Sequence, residues 1–258
     1  MTQDEREKLY TVRWYVRERW GVDGLQDDVL ELLGDILEPN STQESRPSIS
    51  ATNQKLLYCP FANKNFPKAK TRGTYAKGYP QGAVIHYTAG RRSGLEQEIS
   101  TQIENKYLYF VIDKDGNIAQ NFSLDSWGYH AGKSRYNGLE GSVSNKLVGI
   151  EIQSAGMLKK DGDIYKSWFN STIKKKDVRK IPSQKDNQTK GYYQKYTKAQ
   201  EKSLTNLILW LYSNNPNVFS LDLVVGHDEV SPNRKQDPGG ALSKTMPEYR
   251  EYLKSLVR

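Results

Sequence analysis

The sequence predicts a mixed α/β domain that follows a small helical appendage and a linker. Short apolar runs of strand length occur beyond residue 55, and two capped segments with helical spacing follow some of them. A chain of 258 residues exceeds the usual size of a single domain. We therefore predict one main domain at residues 56–258 and a separate, smaller unit ahead of it.

The first 55 residues divide into a predicted helical pair and a polar segment. Thr2–Glu5 fits a capping box, and apolar residues follow it at helical spacing. A second helical arm is expected to begin near Asp27 and to stop ahead of Pro39. Ser, Thr, Asn and Pro dominate residues 39–55, which is typical of a linker. The appendage is thus predicted at residues 1–38.

Strands and helices alternate in the predicted main domain. Thr197 caps one amphipathic helix, Thr245 caps a C-terminal one, and the Asp-Gly step at 115–116 suits a hairpin turn. Apolar runs predict four strands, at Ala83–Thr88, Tyr107–Ile112, Leu147–Ile152 and Leu221–Val225. This order of elements predicts a mixed sheet with helices against it.

Composition narrows the classes of protein and partner. The net charge of +8 favours a polyanionic partner, such as nucleic acid, a membrane surface or an acidic wall polymer. No run approaches 18 apolar residues, and the first residues are charged, so we expect neither membrane insertion nor a signal peptide. Cys59 is the only cysteine, which excludes an internal disulfide and fits synthesis in a cytoplasm.

The positive charge is concentrated in one segment, residues 159–196. It holds 11 Lys and Arg against 4 Asp, a local net of +7. Six aromatic residues lie among these cations and could stack on sugars or bases. Two interpretations stand beside each other: an exposed surface loop whose rings cover a core edge, or a lip that binds an anionic polymer.

Three histidines and one aspartate form a candidate metal site. His86 and His227 lie at or just after predicted strands, and Asp237 follows His227 by ten residues, a span that can loop back. Two neutral imidazoles and a carboxylate would leave the fourth position of a tetrahedral zinc for water, which is typical of hydrolytic sites. From spacing alone, His130 in place of Asp237 is equally admissible.

The residues around these positions resemble one known family. The stretches 84–90, 127–132, 148–152 and 226–239 together resemble the type 2 N-acetylmuramoyl-L-alanine amidases, whose fold is shared by peptidoglycan recognition proteins. The resemblance covers residues 83–240 and leaves out the first 55. It implies a mixed central β-sheet flanked by helices, and one zinc ion per chain held by His86, His227 and Asp237.

The same resemblance implies roles for further residues. Glu151 matches the glutamate that moves protons, and Lys235 matches the lysine that stabilises the oxyanion of the intermediate. Predicted substrate-binding residues are His130, Trp127, Tyr87, Thr88 and Asn233. Asn233 stands where the family usually has glycine, and Asn tolerates a positive φ better than most residues.

The predicted function is zinc-dependent cleavage of the bond between N-acetylmuramic acid and L-alanine in bacterial peptidoglycan. An endolysin released by a holin, or an effector delivered by a secretion or tail machine, would need no signal peptide. Alternatives are a cytosolic amidase that recycles anhydro-muropeptides and a non-catalytic module that binds peptidoglycan. Nucleic-acid binding through residues 159–196 rests on charge alone, so no specific nucleic acid is expected, and the protein is predicted to be a monomer.

Overall fold

The computed structural model describes residues 56–66, 71–90, 95–104, 110–139 and 142–257. The predicted appendage and linker lie outside these ranges, so both stay predictions. Within the described ranges, every helix is too short or too polar to cross a bilayer.

A mixed sheet lies at the centre of the described part of the chain. Its strands are β1 (Lys64–Asn65), β3 (Ala83–Tyr87), β4 (Phe110–Ile112), β5 (Ile118–Gln120), β7 (Val148–Ile152) and β13 (Val224–Gly226). They lie in the order β1-β5-β4-β7-β3-β13, and the neighbours of β3 and β7 run parallel to them. The pair β4–β5 is antiparallel, and the pair β1–β5 is parallel. A short ribbon beside it pairs β2 (Gly73–Thr74) with β6 (Ser126–Trp127).

The middle strands of the sheet are buried, as their apolar sequences predict. Every residue of β7 is buried, and so is every residue of β3 except its last. Parallel strands covered on both faces have near-continuous apolar sequences, which is why β3 and β7 were recognisable from the sequence. Both predictions are confirmed to within one residue at each end.

Two other predicted strands differ from the structure. In the run Leu221–Val225, the first three residues form a 3₁₀ turn and the strand begins at Val224. The hydroxyl of Ser220 accepts a hydrogen bond from the backbone N–H of Asp222, which stabilises this turn at the expense of an extended chain. The strand predicted from Tyr107 is described only at Phe110–Ile112.

The hairpin turn after β4 is confirmed. The carboxylate of Asp113 accepts hydrogen bonds from the backbone N–H groups of Asp115 and Asn117, and Gly116 has a φ of +85°. This side-chain bonding to the backbone two and four residues on is typical of aspartate at a turn.

Helices cover the sheet. The helices are α1 (Leu95–Glu104), which follows β3, α2 (Lys198–Asn214), the single turn α3 (His227–Val230), and α4 (Met246–Ser255), the last helix. Thr197 and Thr245 each close a capping box, as predicted. Leu204, Leu207, Ile208 and Leu211 of α2 are fully buried in the main core. The sequence did not predict α1, which buries Ile99 against Val111 of β4.

The basic segment forms a second sheet, so the interpretation as a loop is wrong. Its order is β10-β9-β8-β12-β11, and all its pairs are antiparallel. One face carries apolar side chains such as Leu158 and Tyr165, which pack together, whereas most lysines remain exposed. The strands are β8 (Met157–Asp161), β9 (Ile164–Lys166), β10 (Thr172–Ile173), β11 (Val178–Ile181) and β12 (Gly191–Gln194).

Candidate metal centre and active site

The parallel strands bring the predicted site residues to one edge of the central sheet. His86 on β3 is in register with Glu151 on β7, so both side chains lie on the same face. His227 begins α3 directly after β13, the other neighbour of β3. Side chains that lie at the carboxyl ends of adjacent parallel strands are placed to form a ligand site.

Asp237 contacts both histidines through one oxygen. Its Oδ2 lies 2.9 Å from Nδ1 of His86 and 3.0 Å from Nδ1 of His227. The two imidazole rings are 4.4 Å apart between centroids and nearly perpendicular. All three side chains are buried, and one ligand atom from each lies within 4.8 Å of the others. The structure therefore brings together the three residues that the sequence analysis predicted as metal ligands.

The loop from His227 to Asp237 is held by a tight turn. Asn233 has a φ of +65°, which asparagine tolerates well, so its replacement of the usual glycine is compatible with this turn. The guanidinium of Arg234 donates to the backbone carbonyls of Ala131 and Lys133 and thereby anchors the loop. The backbone N–H of Asp228 donates to the carbonyl of Asp237 at 2.8 Å, which closes the loop near the histidine.

Backbone carbonyls assign the tautomers of the histidines. His227 Nε2 lies 3.2 Å from the carbonyl of Ala131, and His130 Nε2 lies 2.9 Å from the carbonyl of Leu147. Because a carbonyl only accepts, each of these nitrogens carries a proton, and in the neutral form of each ring Nδ1 keeps its lone pair. His130 Nδ1 lies 3.0 Å from His86 Nε2, so His86 donates there and its own Nδ1 is also unprotonated.

Three potential metal-ligand atoms thus converge. With these tautomers, Nδ1 of His86 and Nδ1 of His227 each direct a lone pair towards the carboxylate of Asp237 at hydrogen-bond distance. A cation between them would contact all three, and two imidazoles with one carboxylate are a donor set that suits zinc. The remaining N–H of each ligand histidine is held by a hydrogen bond, as is usual around metal sites.

Electrostatics keep the ligands in the states that metal binding needs. Burial lowers the pKa of His86 to about 4, although the neighbouring carboxylate of Asp237 acts in the opposite direction. Burial also lowers the pKa of His130 well below its usual range. Burial alone would raise the pKa of Asp237, but the neighbouring His227 and His86 bring it below its usual range. At pH 7, His86 is therefore neutral and Asp237 is ionised, as a metal requires.

The two predicted catalytic residues lie near this centre in different environments. Glu151 is 9% exposed and neighbours His86 across the sheet. Lys235 is exposed, yet its charge is close enough to depress the pKa of His86. A buried carboxylate and a more accessible cation thus flank the candidate ligands.

The predicted substrate-binding residues occupy several positions. His130 has both ring nitrogens hydrogen-bonded to protein atoms. The Tyr87 ring packs against Gly156, where an added Cβ would lie 2.3 Å from it, and Thr88 bonds to the backbone of Ser154. Trp127 lies edge-on to Tyr129, 5.4 Å between ring centroids. The substrate-binding roles of these residues and of Asn233 stay predictions.

Two supporting residues were missed in the sequence. Asp228 accepts hydrogen bonds from Asn187 Nδ2 and the backbone N–H of Gly239, and burial raises its pKa to about 8. Tyr196 donates its hydroxyl to the carbonyl of His86. The adjacency of Asp228 to His227 was a visible signal, but Tyr196 is distant in sequence and gave none.

Comparison with known proteins identifies a family. The chain matches the family described as N-acetylmuramoyl-L-alanine amidase (Amidase_2) over residues 76–240, which contain all three candidate ligands. It is 26% identical over 140 residues to a 1,6-anhydro-N-acetylmuramyl-L-alanine amidase, AmpD, of Salmonella typhimurium, covering 54% of this chain. The chain spans about half the length of the curated relatives it matches, 53%.

Similar solved structures include two amidases. One is the N-acetylmuramyl-L-alanine amidase AmiD from E. coli in complex with its substrate, at a TM-score of 0.46 and 20% identity, covering 66% of this chain and 57% of that one. Another is an endolysin amidase from Clostridium intestinale, at 0.43 and 17%, covering 76% and 96%. On the family match over most of its length, the chain belongs to the N-acetylmuramoyl-L-alanine amidase family.

Proposed function

We propose that this protein hydrolyses the amide bond between N-acetylmuramic acid and L-alanine in peptidoglycan, with one zinc ion bound by His86, His227 and Asp237. The observation that carries the proposal is the convergence of Nδ1 of His86 and Nδ1 of His227 on one oxygen of the buried Asp237 carboxylate. Three protein ligands leave one position open, which is typical of catalytic zinc. The family match supports the identity of the bond that we propose is cleaved.

Zinc in this position would lower the pKa of a water molecule towards ~7 and polarise the amide carbonyl. Glu151, on the strand beside His86, accepts the proton of the attacking water. Lys235 stabilises the negative charge that develops on the carbonyl oxygen. As the C–N bond breaks, Glu151 returns the proton to the leaving nitrogen. The products are the free carboxylate of the muramoyl lactyl group and a stem peptide with a free L-alanine amine.

Wall polymer is the substrate we favour. The second sheet carries most of the chain's excess positive charge, and stem peptides in the wall carry carboxylates that would be attracted to it. Delivery as an endolysin or as an exported effector remains our prediction for how the protein would reach the wall. A second candidate substrate is the soluble anhydro-muropeptide, because the matched curated relatives are named for that activity.

Mass spectrometry of digests tests this proposal. Purified sacculi and a soluble anhydro-muropeptide are incubated with the protein, with and without a zinc chelator. We expect free stem peptides from sacculi, no new reducing sugar ends, and no product after chelation. Faster turnover of the anhydro-muropeptide than of sacculi would favour the second candidate, whereas sacculus binding without any product would identify a non-catalytic module.

A further inference from the structure

The hairpin β9–β10 of the second sheet presents an exposed tryptophan. Trp168 lies in the turn between Lys166 and Thr172 and is 70% exposed, more than any other exposed large hydrophobic side chain of the described residues. Backbone hydrogen bonds from Ser167 to Ser171 and from Asn170 to Ser167 close this turn. The face of this ring is therefore open to solvent and accessible to a ligand.

A hydrogen bond fixes this ring beside the candidate active site. The indole N–H of Trp168 donates to the backbone carbonyl of Ala89 at 2.7 Å. Ala89 follows His86 by three residues, so their backbones are at most about 11 Å apart. Ala89 has a φ of +47°, which is uncommon for a residue with a side chain and occurs often at functional sites.

Neighbouring contacts further restrict the ring. Phe169 meets Trp168 edge-on, with centroids 5.5 Å apart. With its only polar atom already bonded to Ala89, Trp168 offers a ligand a flat apolar face and no free donor. Such a face stacks on planar bases or on the apolar face of a saccharide ring.

The charges of the hairpin favour a saccharide over a nucleic acid. The turn that contains Trp168, residues 167–172, has no charged residue, and the ammonium of the adjacent Lys166 lies 3.1 Å from the carboxylate of Asp161; the other lysines of the sheet lie outside this turn. Nucleic acids bind mainly through their phosphates, which require unpaired cations close to the stacking ring. An uncharged sugar has no such requirement.

We propose that Trp168 is a saccharide-binding residue, on which a sugar of the glycan strand stacks next to the muramic acid whose amide bond is cleaved. The inference rests on the proposed function, because that function places the muramoyl group at the metal centre. The rest of the glycan strand must then extend away from the metal centre along nearby loops. One of these loops contains Ala89, whose carbonyl accepts the hydrogen bond of the Trp168 ring. Stacking there would hold polymeric substrate without contributing to the chemical step.

Binding of peptide-free glycan strands tests the proposal apart from catalysis. Soluble strands of N-acetylglucosamine and N-acetylmuramic acid are titrated into the full chain by calorimetry. Trp168→Ala is expected to raise the Kd by roughly 10- to 100-fold, as for loss of one large contact ring. Trp168→Phe retains a ring but loses the N–H group, so its Kd should lie between those of the wild type and Trp168→Ala. The control Tyr252→Ala removes another exposed ring, far along the chain on α4, and should keep the wild-type Kd.

The outcomes separate this inference from the proposed function. Equal glycan affinity of the wild type and Trp168→Ala, with stem-peptide release by the wild type, would overturn the inference and leave the function standing. No stem-peptide release by the wild type would refute the function, whatever the glycan titration shows. Tighter binding of single-stranded DNA than of glycan, lost in Trp168→Ala, would also overturn the inference, since it would make the ring a nucleic-acid platform.

Discussion

Replacing His130 with leucine is expected to weaken zinc binding, although His130 is not a predicted ligand. Its Nδ1 accepts a hydrogen bond from the Nε2–H group of His86 at 3.0 Å, and that bond leaves the lone pair of His86 Nδ1 directed at Asp237. Without this acceptor, His86 can place its proton on Nδ1, where it competes with the metal. His130 would then be a positioning residue that acts through His86.

The size of the effect follows from these contacts. His86 is 2% exposed, so leucine leaves a buried N–H without its acceptor, which costs about 1–3 kcal/mol. Loss of such a partner of a metal ligand typically reduces metal affinity by about 10- to 100-fold. Because one factor of ten corresponds to about 1.4 kcal/mol, the two estimates agree.

Competition with a chromophoric zinc chelator measures this Kd, and thermal unfolding of the metal-free proteins checks that each variant folds. The matched control is His130→Asn, whose side-chain oxygen can accept a bond near the position of Nδ1 and should retain more affinity than leucine. Zinc affinity of His130→Leu within twofold of wild type would refute the reasoning, because the tautomer of His86 would then not depend on His130.

Three further predictions concern stability. Burial lowers the pKa of Lys114 to about 8, against an unfolded value near 10.4. Between these two pH values the unfolded state binds more protons than the folded state, so the free-energy cost of burying the Lys114 ammonium falls as pH rises. Urea unfolding should therefore show Lys114→Met more stable than wild type by up to about 3 kcal/mol at pH 7 and by less at pH 9.5; a constant difference would contradict this. Gly156→Ala should lower the free energy of unfolding by roughly 2–4 kcal/mol, since its Cβ would lie 2.3 Å from the Tyr87 ring at a φ of +71°, whereas Gly162→Ala, with open space around it and a similar φ, should cost less. Arg250→Ala removes both bonds to the carboxylate of Glu229, at 2.8 and 2.9 Å, and should lower the free energy of unfolding by about 1–3 kcal/mol; equal stability of Arg250→Ala and the exposed-pair variant Lys185→Ala would show that the half-buried pair is unimportant.

The sequence predicted the strands that carry the site because their burial is complete. Ala83–Tyr87 and Val148–Ile152 are covered on both faces, so their apolar composition alone revealed them. The strands of the second sheet, such as Met157–Asp161, are short, rich in lysine and buried on one side only, which hid them among exposed loops.

Sequence patterns did not predict the helix α1 or the 3₁₀ turn at Leu221–Leu223, because each depends on local features that the patterns do not contain. Leu95–Glu104 has a narrow apolar stripe among polar residues, and its capping residues lie outside the described ranges. The turn at Leu221 depends on one hydroxyl contact of Ser220, whereas its apolar residues favour a strand equally well.

The candidate ligands were predictable in identity but not in chemistry. Scarcity of histidine and the ten-residue spacing to Asp237 pointed to these residues, and the family resemblance removed His130 from the ligand set. Which ring nitrogen of His86 and of His227 would face a metal depends on hydrogen bonds to the carbonyls of Ala131 and Leu147, which belong to distant parts of the chain. No sequence pattern reports that arrangement.

Anomalous diffraction at the zinc edge, from crystals of the protein purified with zinc, tests the central claim most directly. We predict one peak per chain at about 2.0–2.2 Å from Nδ1 of His86, Nδ1 of His227 and an oxygen of Asp237. A well-ordered site with no peak, or a peak coordinated by His130 in place of Asp237, would contradict the account.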